Sequence, residues 1–207
     1  MTKPAATSFF ELTAARRGHF QLESGHHGEL WFDLDALFAV PGRIEPFVKQ
    51  LAESLRSYNV AAVCGPLLGG AFLAQLVAHA LDVDFCFTER VMPRDATGLY
   101  QAKYLLPPAF SARVRGRRIA MVDDVMSAGS ALRGTYRELQ TQDAVPVVAG
   151  ALMVLGTAGA DFFAEQQVPV EAVVRESYSI WLPSECPLCI DNQPLENVGA
   201  GSIIVSD

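Results

Sequence analysis

The sequence predicts an α/β fold, in which a mostly parallel central sheet is flanked by helices. Short apolar runs that suit buried strands alternate with longer runs that suit helices, and small-residue turns separate them. Strands joined by helical crossovers run parallel, so this alternation favours a single sheet with helices on its faces. The chain of 207 residues is long enough for one well-filled domain.

The predicted strands are continuously apolar, as is typical of strands covered on both faces. They are 60–64, 84–88, 118–122, 145–155 and 170–174. The runs that suit helices are 71–81, 131–140 and 158–166. Ligands of such folds bind outside the carboxyl ends of the strands, so the residues that follow each strand are the candidates for a site.

Two adjacent carboxylates, Asp123 and Asp124, follow the strand 118–122. Ionised carboxylates are costly inside a sheet, so we expect them where the strand meets water. A small-residue loop comes next and leads into a helix; it consists of Ser127, Ala128, Gly129, Ser130 and Ala131. Its backbone N–H groups and the helix N-terminus favour an anion. The pattern suits a pentose 5-phosphate, and the alternative is an ordinary helix cap by Ser127 or Ser130.

A second loop belongs at the same edge, directly after the strand 60–64. Its glycines, Gly65, Gly69 and Gly70, allow close backbone approach. It has neither the Lys-Ser/Thr ending of a nucleotide P-loop nor the GxGxxG of a dinucleotide site. A small anion cradle and a tight turn before a helix are the two interpretations that remain.

A long connection, residues 89–117, separates the strands 84–88 and 118–122. A connection of this length in a compact domain is typically a lid or a binding loop. It carries Arg90, Arg94 and Lys103. The alternative is a surface hairpin whose cations are simply solvated.

Composition narrows the class of protein. Half of the residues are hydrophobic and 19% are charged, which is typical of a globular protein. The net charge of -7, from 16 basic and 23 acidic residues, argues against non-specific nucleic-acid binding. The apolar runs are shorter than the roughly 20 residues that span a bilayer, and no secretory signal opens the chain, so we expect no membrane partner and a cytoplasmic location.

The cysteines fall into two pairs. Cys64 and Cys86 lie in strand-like runs and are expected to be reduced core residues. Cys186 and Cys189 have the CxxC spacing of a zinc knuckle, but a Cys₄ site needs a second pair that this chain does not supply nearby. Zinc binding, including a site shared across a dimer, and a tight turn are the alternatives.

Four segments together resemble the type I phosphoribosyltransferases: VDDVMSAGSA, CGPLLGG, the long loop after FTER, and GHFQLESGHHGELWF. Within that family the chain is similar to the orotate phosphoribosyltransferase branch whose members end in a CPLC segment, here 186–189. The resemblance covers about 18–195. It implies one domain, 1–207, with a core of about 43–177, a small hood built from about 1–40 and 178–207, and a homodimer.

The resemblance implies a glycosyltransferase of pyrimidine biosynthesis. It would move ribose 5-phosphate from phosphoribosyl pyrophosphate to a nucleobase, and orotate is the base that we expect. Asp123 and Asp124 would hold the ribose hydroxyls, and the small-residue loop would hold the 5-phosphate. Mg²⁺ would be coordinated mainly by oxygens of the substrate. The long connection would close over the site with Lys103 or Arg94 neutralising the leaving group. Pyrophosphate would be received by Pro66, Leu67, Leu68, Gly69 and Gly70, with Arg90 as a further contact.

Two segments depart from the family pattern. The loop that commonly reads Thr-Thr-Gly-Gly-Ser is SAGSA here, which keeps the backbone cradle but loses two hydroxyls. The following strand commonly ends in Asp-Arg, whose arginine can contact the orotate carboxylate, whereas this chain reads MVLGTAGAD. Arg175, on a later strand, cannot be assumed to substitute. The alternatives are a different acceptor base, or a non-catalytic module that binds phosphoribosyl pyrophosphate or a nucleotide and regulates a partner.

Overall fold

The structure, a computed structural model, describes residues 9, 11–13, 15–32, 34–93 and 99–198. Its strands are β1 (Arg16–Gln21), β2 (His27–Trp31), β3 (Ala62–Pro66), β4 (Asp84–Val91), β5 (Lys103–Leu105), β6 (Arg118–Met126), β7 (Val145–Leu155), β8 (Val170–Glu176), β9 (Ile180–Trp181) and β10 (Glu196–Asn197). Its α-helices are α1 (Pro41–Leu55), α2 (Gly69–Leu81), α3 (Pro108–Val114), α4 (Ser130–Thr141), α5 (Ala158–Glu165) and α6 (Pro187–Ile190). Short 3₁₀ turns occupy Asp35–Phe38, Arg56–Tyr58 and Pro183–Glu185.

The main sheet has six strands in the order β5-β4-β3-β6-β7-β8. All neighbours pair in parallel except β5, which runs antiparallel to β4 at the edge. Side chains alternate across β6, so that Ala120 and Val122 pack with α1 and α2 while Ile119 and Met121 pack with α4 and α5. The predicted α/β fold with helices on a mostly parallel sheet is confirmed.

A second, four-stranded sheet joins the two ends of the chain, in the order β10-β1-β2-β9. The strands β1 and β2 form an antiparallel hairpin. The C-terminal segment supplies β9, antiparallel to β2, and β10, parallel to β1. The turn between β1 and β2 is thereby fixed by strands from both ends of the chain.

Three features of the main domain differ from the sequence prediction. Helix α1 was not predicted, although Ile44, Val48, Leu51 and Leu55 form a regular buried stripe, because Pro41 and Pro46 weaken the helical signal at its start. The described part of the long connection contains regular structure: β4 extends to Val91, β5 pairs with it as a hairpin at the edge of the sheet, and α3 follows. Strand β6 continues through the acidic pair instead of ending before it.

The remaining predictions about the core hold. Cys64 and Cys86 lie opposite each other on β3 and β4 as buried free thiols. Hydrogen bonding to Cys86, followed by burial, raises the pKa of Cys64, which keeps that thiol protonated and inert.

In the described part of the chain, none of the helices combines the length and the apolar character that a bilayer crossing requires.

Candidate functional site

The acidic pair lies in the C-terminal half of β6, beyond the last residue of this strand that pairs with β3. Pairing with β3 ends at Met121, whereas pairing with β7 continues to Met126. Asp124 is buried, and its Oδ1 accepts a hydrogen bond from the Val125 N–H at 2.7 Å. Asp123 is partly buried, and its Oδ1 accepts one from the Asp124 N–H at 3.1 Å. Both carboxylates are therefore held by their own backbone at the open edge of the sheet.

Negative charge is concentrated around Asp123. Burial, and then the neighbouring carboxylates of Asp124 and Glu23, raise the pKa of Asp123 well above the usual range of an aspartate. A ligand that brings hydroxyl donors or a cation to this point relieves that repulsion. The electrostatics therefore suit a polyhydroxyl compound or a metal complex.

The glycine pair at the start of α2 allows this helix to touch the acidic pair. A Cβ on Gly69 would collide with the Asp124 carboxylate, and a Cβ on Gly70 would lie 2.7 Å from Asp123 Oδ1. The peptide bond between Leu67 and Leu68 is cis, and the Leu68 side chain is exposed. The loop 66–70 and the acidic pair thus share one edge, and the glycines are needed because the carboxylates come so close.

The small-residue loop follows β6 directly and opens α4. Gly129 occupies the N-cap position with a left-handed φ of 74°, and no side chain caps the first turn of the helix. Ser127 Oγ is buried without a hydrogen-bond partner among the described residues, and Ser130 Oγ is directed to another residue, Glu23. The interpretation of Ser127 or Ser130 as a helix cap is therefore wrong, and the N–H groups of the first turn are left for an anion.

Glu23, in the turn between β1 and β2, connects three parts of the site. Its Oε1 accepts hydrogen bonds from Ser130 Oγ at 3.1 Å and from Tyr104 Oη at 2.7 Å. Its Oε2 lies 3.5 Å from Arg90 Nε. Burial and the Glu23 charge raise the pKa of Tyr104, which therefore stays a hydrogen-bond donor. The turn thus contacts both the small-residue loop and the β4–β5 hairpin.

The structure places two of the three cationic residues of the long connection. Arg90 lies on β4 and is brought to the site through Glu23. Lys103 is exposed on β5, opposite Val91. Arg94 lies outside the described residues.

Arg133, one helical turn into α4, is a site residue that the sequence did not single out. Its guanidinium stacks on the rings of Tyr100 and Phe162, at 4.6 and 4.4 Å from their centroids. It also donates to the Ala158 carbonyl at 2.7 Å. Burial, followed by the charge of Arg133, lowers the pKa of His26.

Ala158 belongs to the segment after β7 in which the sequence has no arginine. Arg133 supplies a cation at this segment from a different element. Arg175, by contrast, is exposed and donates to the carbonyl of Val170 on its own strand.

Cys186 and Cys189 are not part of this edge of the sheet. Cys186 is the N-cap residue of α6 in the C-terminal segment and is buried, whereas Cys189 lies within this helix and is exposed. Their neighbours are His19 and His27 of the four-stranded sheet.

Known proteins match the chain along nearly its whole length. It is 27% identical to an orotate phosphoribosyltransferase of Caldanaerobacter subterraneus over 97% of this chain and 98% of the relative. It is 28% identical to an orotate phosphoribosyltransferase of Thermotoga maritima over 90% of this chain and 92% of the relative.

Solved structures show the same fold. The orotate phosphoribosyltransferase of Aeropyrum pernix superposes with a TM-score of 0.64 at 22% identity, covering 83% of this chain and 93% of the other. The adenine phosphoribosyl transferase of Trypanosoma brucei superposes with a TM-score of 0.63 at 17% identity, covering 84% and 80%. Proteins named for two different bases fit about equally well, so the fold does not select the base.

The family assignment comes from the domain model, which agrees with the motifs that first suggested it. The model of the phosphoribosyl transferase domain matches residues 34–172, a stretch that runs from the segment before α1 into β8 and includes the acidic pair and the small-residue loop. This stretch is well over half of the chain, and the protein therefore belongs to the phosphoribosyl transferase domain family.

Proposed function

We propose that this protein transfers the ribose 5-phosphate group of phosphoribosyl pyrophosphate to orotate, giving orotidine 5'-phosphate and pyrophosphate. One observation carries the proposal: the carboxylates of Asp123 and Asp124 lie directly before the uncapped N-terminus of α4. Hydroxyl acceptors and an anion cradle a few residues apart match the two ends of a ribose 5-phosphate. The names of the relatives that match nearly the whole chain support orotate as the base.

In the reaction, the bond from the ribose anomeric carbon to pyrophosphate breaks and a bond to a base nitrogen forms. The sugar carries positive charge in between, as in glycoside hydrolysis. Asp123 and Asp124 accept hydrogen bonds from the ribose hydroxyls and place negative charge beside the developing cation. The backbone N–H groups of 127–131 hold the 5-phosphate, so that the sugar is fixed at both ends.

Magnesium fits this edge of the sheet. The concentrated negative charge that raises the pKa of Asp123 favours a cation, and Mg²⁺ prefers carboxylate oxygens. The Mg²⁺ ion would be coordinated mainly by the substrate's own oxygens and by waters. It would neutralise charge on the leaving pyrophosphate.

The leaving group requires further residues of this chain. The loop of Pro66, Leu67, Leu68, Gly69 and Gly70 would receive pyrophosphate, with Arg90 nearby. Lys103 or Arg94 would neutralise its charge as the long connection closes over the site. Closure also excludes water, which would otherwise hydrolyse the sugar.

We assign the orotate carboxylate to Arg133. A buried carboxylate without a cation is poorly stabilised, and Arg133 reaches the segment after β7 that lacks its own arginine. Stacking on Tyr100 and Phe162 holds its guanidinium in place before the base arrives. An alternative base without an acidic group would not need this residue.

The assembly is also part of the proposal. We expect one domain of 1–207, with the four-stranded sheet as a hood, acting as a homodimer in the cytoplasm. Sedimentation of the purified protein measures the dimer directly.

A panel of bases tests the proposal. Pyrophosphate release is followed with phosphoribosyl pyrophosphate, Mg²⁺ and either orotate, uracil or adenine, while binding is measured by calorimetry. Turnover with orotate alone supports the proposal, and turnover with another base replaces the substrate. Binding without turnover favours a regulatory module. The variant Arg133→Gln should raise the KM for orotate at least tenfold, whereas Arg137→Gln, an exposed position on the same helix, should not.

A further inference from the structure

Four potential metal ligands meet where the two ends of the chain join. His19 lies on β1 and His27 on β2, while Cys186 is the N-cap residue of α6 and Cys189 lies within that helix. One ligand atom from each residue falls within a cluster in which all pairs are no more than 4.8 Å apart. His19, His27 and Cys186 are buried, at 4%, 5% and 1% exposure. Two imidazoles and two thiols with three buried members form a preassembled set of ligands.

Four of the six distances between ligand atoms of the cluster are close to those of a tetrahedral ion. Zinc binds His nitrogen at about 2.0–2.1 Å and Cys sulfur at about 2.3 Å, so its ligand atoms lie roughly 3.3–3.8 Å apart. His19 Nε2 lies 3.1 Å from His27 Nδ1, and Cys189 Sγ lies 3.3 Å from His27 Nδ1. The sulfurs of Cys186 and Cys189 lie 3.4 and 3.7 Å from His19 Nε2.

His19 is held in the tautomer that a metal requires. Its Nδ1 lies 2.9 Å from the carbonyl oxygen of Gln193. A carbonyl oxygen only accepts, so Nδ1 carries the proton, and the lone pair of the neutral ring lies on Nε2, which faces the cluster. A histidine ligand whose other ring nitrogen donates to a carbonyl is a common arrangement at zinc sites.

The thiols are not used in another way. Cys186 and Cys189 are both free cysteines in the structure. The Cys₂His₂ combination is one of the closed ligand sets of structural zinc sites, with no position left for a substrate. Soft thiolate ligands together with imidazoles also exclude the hard cation Mg²⁺ from this cluster.

We propose that His19, His27, Cys186 and Cys189 bind one structural zinc ion in each chain. The histidines of the β1–β2 hairpin thus provide the second ligand pair that the CxxC segment lacks in the sequence. The zinc ion fastens the C-terminal segment to the hairpin and stabilises a sheet in which β9 and β10 are two residues each. It also fixes the hairpin turn, from which Glu23 reaches the small-residue loop.

Metal content tests the site without reference to activity. Protein expressed with added zinc, and then dialysed against a weak chelator, should contain one zinc per chain by elemental analysis. Cys186→Ser/Cys189→Ser and His27→Gln should each lose it. The matched controls Cys86→Ala and His79→Gln, outside the cluster, should keep it.

Cobalt substitution in the wild-type protein covers the case in which the variants fail to fold. The proposal predicts the intense visible bands of tetrahedral Co²⁺ together with a thiolate-to-cobalt charge-transfer band. It is overturned if wild-type protein contains no more zinc than the double cysteine variant, if Co²⁺ gives only the weak spectrum of octahedral coordination, or if thiol titration finds a Cys186–Cys189 disulfide.

Discussion

The substitution Asp123→Asn should weaken the binding of phosphoribosyl pyrophosphate and at the same time make the free protein more stable. The two effects have one cause, because the charge that receives the ribose hydroxyls is held in a partly buried place beside two other carboxylates. Asn keeps the shape of the side chain and an oxygen that can accept the hydrogen bond from the Asp124 N–H. The change removes the charge and replaces the second carboxylate oxygen with an NH₂ donor.

The sign of the stability effect follows from the raised pKa of Asp123. The stabilising contribution of protonated Asp123 is fully present below the ordinary aspartate pKa of about 3.9. This contribution is lost as the pH rises through the raised pKa of Asp123 in the folded protein. Above that raised pKa, the ionised side chain of Asp123 therefore costs folding free energy. Removing a partly buried, repelled charge is worth on the order of 1–3 kcal/mol, and each kcal/mol raises Tm by about 2–4 °C in a chain of this size.

The effect on binding is opposite in sign. A hydrogen bond from a ribose hydroxyl to a charged carboxylate is worth about 1.5–3 kcal/mol, so its loss should raise Kd roughly 10- to 150-fold. Calorimetry with phosphoribosyl pyrophosphate and Mg²⁺ measures Kd, and thermal unfolding of the free protein measures Tm. The control is Asp82→Asn, at an exposed left-handed position that ends α2, where Asn is well tolerated. Unchanged affinity, or a lower Tm in Asp123→Asn, would refute the reasoning.

Three further predictions concern the same edge of the sheet. Gly69→Ala should weaken phosphoribosyl pyrophosphate binding at least tenfold in calorimetry, because the added Cβ collides with the Asp124 carboxylate. The control is Gly42→Ala, because a Cβ at that position meets open space. Glu23→Gln should bind inorganic phosphate several-fold more tightly, since a negative charge beside Ser130 Oγ is removed; equal or weaker binding in the same titration contradicts this. On acidification, wild-type affinity for phosphoribosyl pyrophosphate should fall at a higher pH than an ordinary aspartate would give, because the pKa of Asp123 is raised. The variant Asp124→Asn should move the midpoint of this loss, measured in a calorimetric pH series, to lower pH. An unmoved midpoint argues against an effect of the Asp124 charge on the pKa of Asp123.

Local sequence patterns were sufficient for the main sheet but not for its edges. The apolar run 145–155 matches β7 residue for residue, because a strand that is buried over most of its length has a continuous apolar signal. The predicted end of β6 was too early, since pairing with β7 carries the acidic pair into the strand. Charged residues break an apolar pattern even where the backbone hydrogen bonds continue.

The site shows the same division between local and distant information. The acidic pair and the small-residue loop are adjacent in sequence, so their chemistry could be predicted together. Glu23 contacts Ser130 and Tyr104 across separations of 107 and 81 residues, which no spacing rule detects. Arg133 was hidden for a different reason, because an arginine on an amphipathic helix is usually a solvated surface residue.

The cysteine pair was identified from its CxxC spacing, but its meaning depended on residues at the other end of the chain. His19 lies 167 positions before Cys186. His27 is buried on β2, whereas its neighbour His26 lies in the turn before this strand. A metal site assembled from two chain ends becomes visible only when the four-stranded sheet is known.

The most direct test of the central claim is the stoichiometry of the products formed from phosphoribosyl pyrophosphate and orotate in the presence of Mg²⁺, measured by mass spectrometry. A transfer to orotate predicts one orotidine 5'-phosphate for each pyrophosphate released, with little free ribose 5-phosphate. Pyrophosphate release accompanied only by ribose 5-phosphate, or no reaction with orotate while another base is converted, would contradict it.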